Sequence, residues 1–204
     1  MLLGRGELTI RSMTHQSSAE DVLPFWFGAA PERGKAHKRW FVKDQAFDRE
    51  VRERFLALYE DAAAGKLAHL KEALDGCLAL IVVLDQFPRN MFRGTARAFA
   101  TDPLALDAAR CAVDRGFDRS LLPVERLFVY LPFEHSEVLA DQERSCELTQ
   151  ALDAYPETND VYRYALRHRD IVRRFGRFPH RNAILGREST PEELAFLKGP
   201  GSSF

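Results

Sequence analysis

An all-α fold of about seven or eight helices is what the sequence predicts, on three observations. Apolar residues recur at helical spacing wherever they are regular. Prolines and capping residues stand where helices should begin, and glycines where they should end. No hairpin dipeptide flanked by alternating apolar residues occurs. The 204 residues divide into an irregular segment, 1–18, and a single helical domain, 19–204, with Met13 an alternative start.

From Asp44 the residues Phe47, Val51, Phe55, Leu58 and Ala62 form one stripe of a long helix that Gly65 terminates. Cys77–Leu84 is the most apolar run. Its Ile81-Val82-Val83 also suits a strand, but no second strand-like run could pair with it, so it reads as a buried central helix. Asp102-Pro103 reads as an N-cap with proline at the first helical position, and Gly116 closes that helix. Pro123 opens the next, with Val124, Leu127, Phe128 and Leu131 on one face and Pro132 as its end. Ser136 caps a helix to about Leu152, and Val161, Ala165, His168, Val172 and Phe175 stripe another that Gly176 ends. Thr190-Pro191-Glu192-Glu193 is a capping box opening a short last helix.

Composition narrows the function classes. Formal net charge is −1, so no whole-chain field draws the protein to nucleic acid or an anionic membrane. The eight apolar residues of Cys77–Leu84 fall far short of the ~20 a membrane helix needs. Cys77, Cys111 and Cys146 are widely spaced, with no C-x-x-C, so they read as reduced packing residues in a cytoplasmic protein. No secretory signal, zinc-ligand spacing, phosphate loop or nucleophile elbow is present, so no metal or cofactor is expected.

Polar residues gather in three stretches. The first, Asp85-Gln86-Phe87-Pro88-Arg89-Asn90 with Arg93, leaves the most apolar run, so Asp85 should be buried and paired, with Arg89 the nearest cation. The second, Pro132-Phe133-Glu134-His135-Ser136-Glu137, reads as a helix N-terminus. There His135 is a candidate general base oriented by Glu137, against a structural reading in which the acids complement the helix dipole. The third runs from Arg167-His168 to Asn182. His168 faces inward as a core residue or proton shuttle, and Arg173, Arg177, His180, Arg181 and Asn182 follow. Phe87-Pro88-Arg89-Asn90 is echoed by Phe178-Pro179-His180-Arg181-Asn182. In each the proline should turn the chain, leaving the donors to cap helix carbonyls or face a ligand.

Between Arg163 and Arg187 eight arginines meet the single Asp170, whereas Pro132–Asp153 carries a net excess of acids. The two segments either neutralise each other as antiparallel helices or leave arginines over to grip an anion. Three functions follow: a groove binding an anionic small molecule or acidic peptide through Gln86, Arg89, Asn90, Arg93, Arg173, Arg177, His180, Arg181 and Asn182; a hydrolase-like enzyme using His135 or His168 with Asp85 or Glu137; or a scaffold. Nucleic acid is not the expected partner, and homo-oligomerisation stays open.

The same stretches carry a resemblance. Asp21-Val22-Leu23-Pro24-Phe25-Trp26-Phe27-Gly28, Trp40-Phe41-Val42-Lys43-Asp44, Leu84–Asn90, Tyr130–Glu137, Arg174–Asn182 and Gly201-Ser202-Ser203-Phe204 occur in order. Over residues 20–204 the chain resembles a bacterial family known as domain of unknown function 924. The resemblance implies a tetratricopeptide-like stack of antiparallel helix pairs and no established activity. No strict repeat of the tetratricopeptide period accompanies it.

Overall fold

A computed structural model describes residues 17–203; residues 1–16, with Met13 and most of the expected irregular segment, lie outside the described residues. Those described are helical with no strand. The helices are α1 (Val22–Phe27), α2 (Gln45–Ala63), α3 (Leu74–Ile81), α4 (Phe87–Met91), α5 (Asp102–Asp114), α6 (Pro123–His135), α7 (Leu139–Gln150), α8 (Val161–Phe175) and α9 (Pro191–Leu197), joined largely by 3-10 turns. A π-helical turn, Val82–Gln86, joins α3 and α4 without a break, giving eight helical rods among the described residues.

Helices near in sequence pack together: α2 on α4, α3 on α5, α5 on α6, α6 on α7, α7 on α8. Their inner faces close over an aromatic core in which Trp26, Phe27, Phe55, Phe87 and Phe128 are fully buried. Offset and edge-to-face ring contacts add to burial as the source of its stability. A small second cluster, Ile171, Val172 and Phe178 with Phe175 and Phe196, seats α9 on α8.

Much of the predicted local chemistry is present. Asp44 Oδ1 accepts from the Ala46 and Phe47 amides at 2.8 and 3.2 Å, capping α2. On that helix Tyr59, four residues beyond Phe55, is buried, while Leu58 is half-buried. Gly176 ends α8 at φ +69°, a left-handed conformation that costs glycine no Cβ clash. The Thr190/Glu193 box is complete, with amide-to-side-chain bonds of 3.2 and 2.7 Å.

The prolines behave differently from expectation. Pro88 does not turn the chain: Phe87 is helical (φ −57°, ψ −43°), and the rod continues to Met91. The π turn makes this affordable. The Phe87 amide reaches back five residues to the Val82 carbonyl, and the Leu84 carbonyl, four residues before a Pro88 that has no N–H to offer it, accepts the Thr101 hydroxyl at 2.6 Å. Thr101 is thereby spent, and it precedes α5 as N-cap; Asp102 is the first helical residue instead of the cap. Pro132 likewise sits inside α6, which runs on to His135. Burial of Leu127–Glu134 on nearly every side holds the helix through the missing bond. The second echo does turn: Phe178 is extended (φ −91°, ψ 106°) before a 3-10 turn at Pro179–Arg181.

Candidate functional site

Asp85 and Gln86 lie on the π turn, whose widened register directs Asp85 toward the end of α6. Asp85 is 1 % exposed. Its Oδ1 meets His135 Nδ1 at 2.7 Å and Arg89 Nη1 at 3.2 Å, and its Oδ2 accepts Gln86 Nε2 at 2.5 Å. Burial opposes ionisation of this carboxyl, but Arg89, His135 and Gln86 outweigh it and hold the group down at about 2. The Asp85 carboxylate is therefore charged at neutral pH.

His135 occupies the last turn of α6, not a helix N-terminus, because the helix passes through Pro132. The end of α6 is closed from elsewhere. Buried Gln142 donates to the carbonyls of Glu134 and Ser136, each at 2.6 Å, and Arg181 Nη1 donates to the His135 carbonyl at 3.0 Å. Burial first and Arg89 second push the His135 imidazole below its ordinary range, leaving it neutral at physiological pH. With Asp85 accepting from Nδ1–H, the lone pair lies on Nε2. Nε2 has no partner among the described residues, and the side chain is 15 % exposed.

The two echoed corners converge on one acid. Asp102, at the start of α5, is gripped bidentately by Arg89 (2.8 and 3.0 Å) and approached by Arg181 Nη1 at 3.5 Å. The two guanidinium carbons lie 5.7 and 4.7 Å from the Phe99 ring centroid. Burial and the neighbouring Arg89 draw Arg181 down to about 10, still protonated at neutral pH, and its Nε has no hydrogen-bond partner among the described residues. His180 packs on Phe178, and burial together with Arg181 pushes it down to about 4.

Asp85, Gln86, Arg89, His135 and Arg181 thus share one cluster, with His180 beside Arg181. The other candidates stand elsewhere. Asn90 and Arg93 converge on Asp48 of α2, at 2.7 and 2.8 Å. Glu137 does not orient His135; it grips Arg187 bidentately at 2.6 and 2.9 Å and accepts the Phe178 amide at 2.7 Å. Burial works against its charge, but Arg187 and that amide prevail and lower its pKa. His168 meets Glu134 at 3.0 Å with both groups buried, the inward core reading. Arg173 pairs with Glu143 and Asp170, Arg177 with Glu193, and Asn182 with Ser189.

The basic segment finds its acids more widely than across α7 and α8. Arg173–Glu143 joins those two helices, while Arg174 and Arg177 reach α9, Arg187 reaches Glu137 and Arg181 reaches Asp102. Sequence reasoning missed Asp102, Arg187, Asp48 and Gln142 as partners. Only Asp102 carried a signal, and it read as a cap. Cys77, Cys111 and Cys146 are free thiols. No group of three or more metal-ligating side chains exists among the described residues, and no helix there is long and apolar enough to cross a membrane.

No curated protein matches the chain. A solved structure of a protein of unknown function from Agrobacterium tumefaciens, ATU0120, is 47% identical, superposes with a TM-score of 0.78, and covers 89% of this chain and 97% of that one. The model of the family described as "bacterial protein of unknown function (DUF924)" matches residues 22–201. With nearly the whole described fold inside that match, the chain belongs to the DUF924 family.

Proposed function

We propose that the chain is a hydrolase-like enzyme acting on a small carboxylic or phosphate ester, with His135 the general base and Asp85 its orienting carboxylate. One observation carries this: a charged, buried Asp85 holds Nδ1 of a neutral imidazole whose Nε2 is unengaged. That pairing fixes the tautomer and stabilises the imidazolium formed when Nε2 takes a proton. In the reaction, Nε2 removes a proton from water as its oxygen bonds to an acyl carbon or phosphorus. The bond to the leaving group then breaks, and His135 returns the proton to that group. The unpartnered Arg181 Nε–H and the Arg89 cation supply positive potential for the charge that develops.

The basic segment alone points to anion capture by a groove. The acid partners of Arg89, Arg93, Arg173, Arg177 and Arg181 make proton transfer the stronger reading. The three free thiols suit a reducing, cytoplasmic setting, and the continuous packing suits a single domain over 19–204.

The test is turnover of p-nitrophenyl acetate, p-nitrophenyl butyrate, p-nitrophenyl phosphate and bis-p-nitrophenyl phosphate by the intact chain. At least one should be hydrolysed, and His135→Gln should lower the rate by about 10²–10⁴-fold. If His135→Gln matches the wild type on all four, the assignment fails.

A further inference from the structure

A second polar cluster lies where the end of α5, the 3-10 turn Phe117–Ser120, α6 and α7 surround a cavity of about 250 Å³. Asp118 is 5 % exposed and lines it. Its Oδ2 accepts the Tyr130 hydroxyl at 2.7 Å, whereas its Oδ1 is buried without a hydrogen-bond partner among the described residues. A buried carboxylate oxygen left idle is costly, so it marks a place for a donor. Arg126, one helical turn before Tyr130, donates from Nε to the same phenol oxygen at 3.3 Å. Neither Arg126 nor Arg119, both in the cavity wall, has an acidic partner within ion-pair distance among the described residues; Arg144 is taken by Glu147 at 2.8 Å.

We infer that this cavity binds a small zwitterion of the α-amino-acid class, its ammonium on the Asp118 carboxylate and its carboxylate on Arg126 and Arg119. Asp118 and Arg126 share the Tyr130 hydroxyl without touching each other, so each keeps unmet hydrogen-bonding capacity beside one small space. A simple anion placed there would face the Asp118 carboxylate, and a simple cation would face two uncompensated arginines. A molecule carrying both charges satisfies both walls. The ammonium brings three donors, and the carboxylate accepts a forked guanidinium. At about 250 Å³ the half-open space is large enough for a small amino acid. None of these residues belongs to the Asp85–His135 cluster, so this site stands or falls independently of the proposed hydrolysis.

The experiment is isothermal titration of the intact chain with the proteinogenic L-α-amino acids. The tightest is then compared with the amine lacking its carboxylate and the acid lacking its amine. At least one amino acid should bind saturably at one site, and both truncated analogues should bind about tenfold more weakly or worse. Asp118→Asn and Arg126→Gln should each weaken binding by a similar factor, and His135→Gln should leave it unchanged. Should Asp118→Asn fail to fold, Arg126→Gln and the exposed Arg119→Gln decide. Absence of binding by every amino acid, equal binding of either truncated analogue, or wild-type affinity in both arginine variants would overturn the inference.

Discussion

Asp85→Asn tests the buried cluster most directly, because it keeps the shape and removes the charge. The Asp85 carboxyl stands at about 2 in the folded chain against an ordinary 3.8. At ~1.4 kcal/mol per unit, the difference corresponds to about 2 kcal/mol of folding free energy. Severing a buried ion pair outright costs roughly 3–5 kcal/mol, but Arg89 keeps its bidentate grip on Asp102, so the smaller figure is expected. A depressed carboxyl contributes fully above its unfolded pKa and loses the contribution as pH falls through its folded pKa. The gap between wild type and variant should thus be about 2 kcal/mol at neutral pH and close between about pH 4 and pH 2. Urea unfolding at a series of pH values measures that gap. A difference at neutral pH below ~0.5 kcal/mol, or one that stays constant down to about pH 2.5, would refute the ionised, paired Asp85 on which the site depends.

Three other outcomes follow from the same geometry. In an NMR titration His135 should show a midpoint below 6.5 that rises in Arg89→Met, since burial and Arg89 both disfavour its charge; a midpoint above 6.5 in the wild type would contradict the neutral base. Thr101→Val strips the Leu84 carbonyl of its side-chain donor and should cost about 1–3 kcal/mol in urea unfolding, with no loss meaning that the carbonyl is satisfied otherwise. Thr190→Ala removes the cap of α9 and should cost about 1 kcal/mol, with amide exchange in Glu192–Glu193 accelerating; unchanged exchange would show the helix start held by Glu193 and Arg177 alone.

The helices were legible because their signals are local. Asp44, Gly176 and the Thr190 box act within one turn of chain, and each is found where its residue type places it. The prolines were misread for the opposite reason. Pro88 and Pro132 are helix breakers in isolation, but a hydroxyl from Thr101 and the dense packing around α6 supply what each proline removes, and neither can be seen in a short window. The same limit hid the partner of His135. Glu137 is two residues away and points to Arg187, whereas Asp85 lies 50 residues upstream and makes the contact.

By itself the sequence determined the all-helical class, most helix boundaries, the burial of Asp85 and the inward face of His168. All of these depend on spacing, capping and hydrophobicity along the chain. Only the tertiary structure decided which charges meet: that the two proline corners share Asp102, that Asp85 and not Glu137 holds His135, and that Asp118 keeps an oxygen idle. The reason is one of range. Helix formation is governed by neighbours three or four residues apart, while a carboxylate's partner is set by where packing brings distant helix ends within about 3 Å.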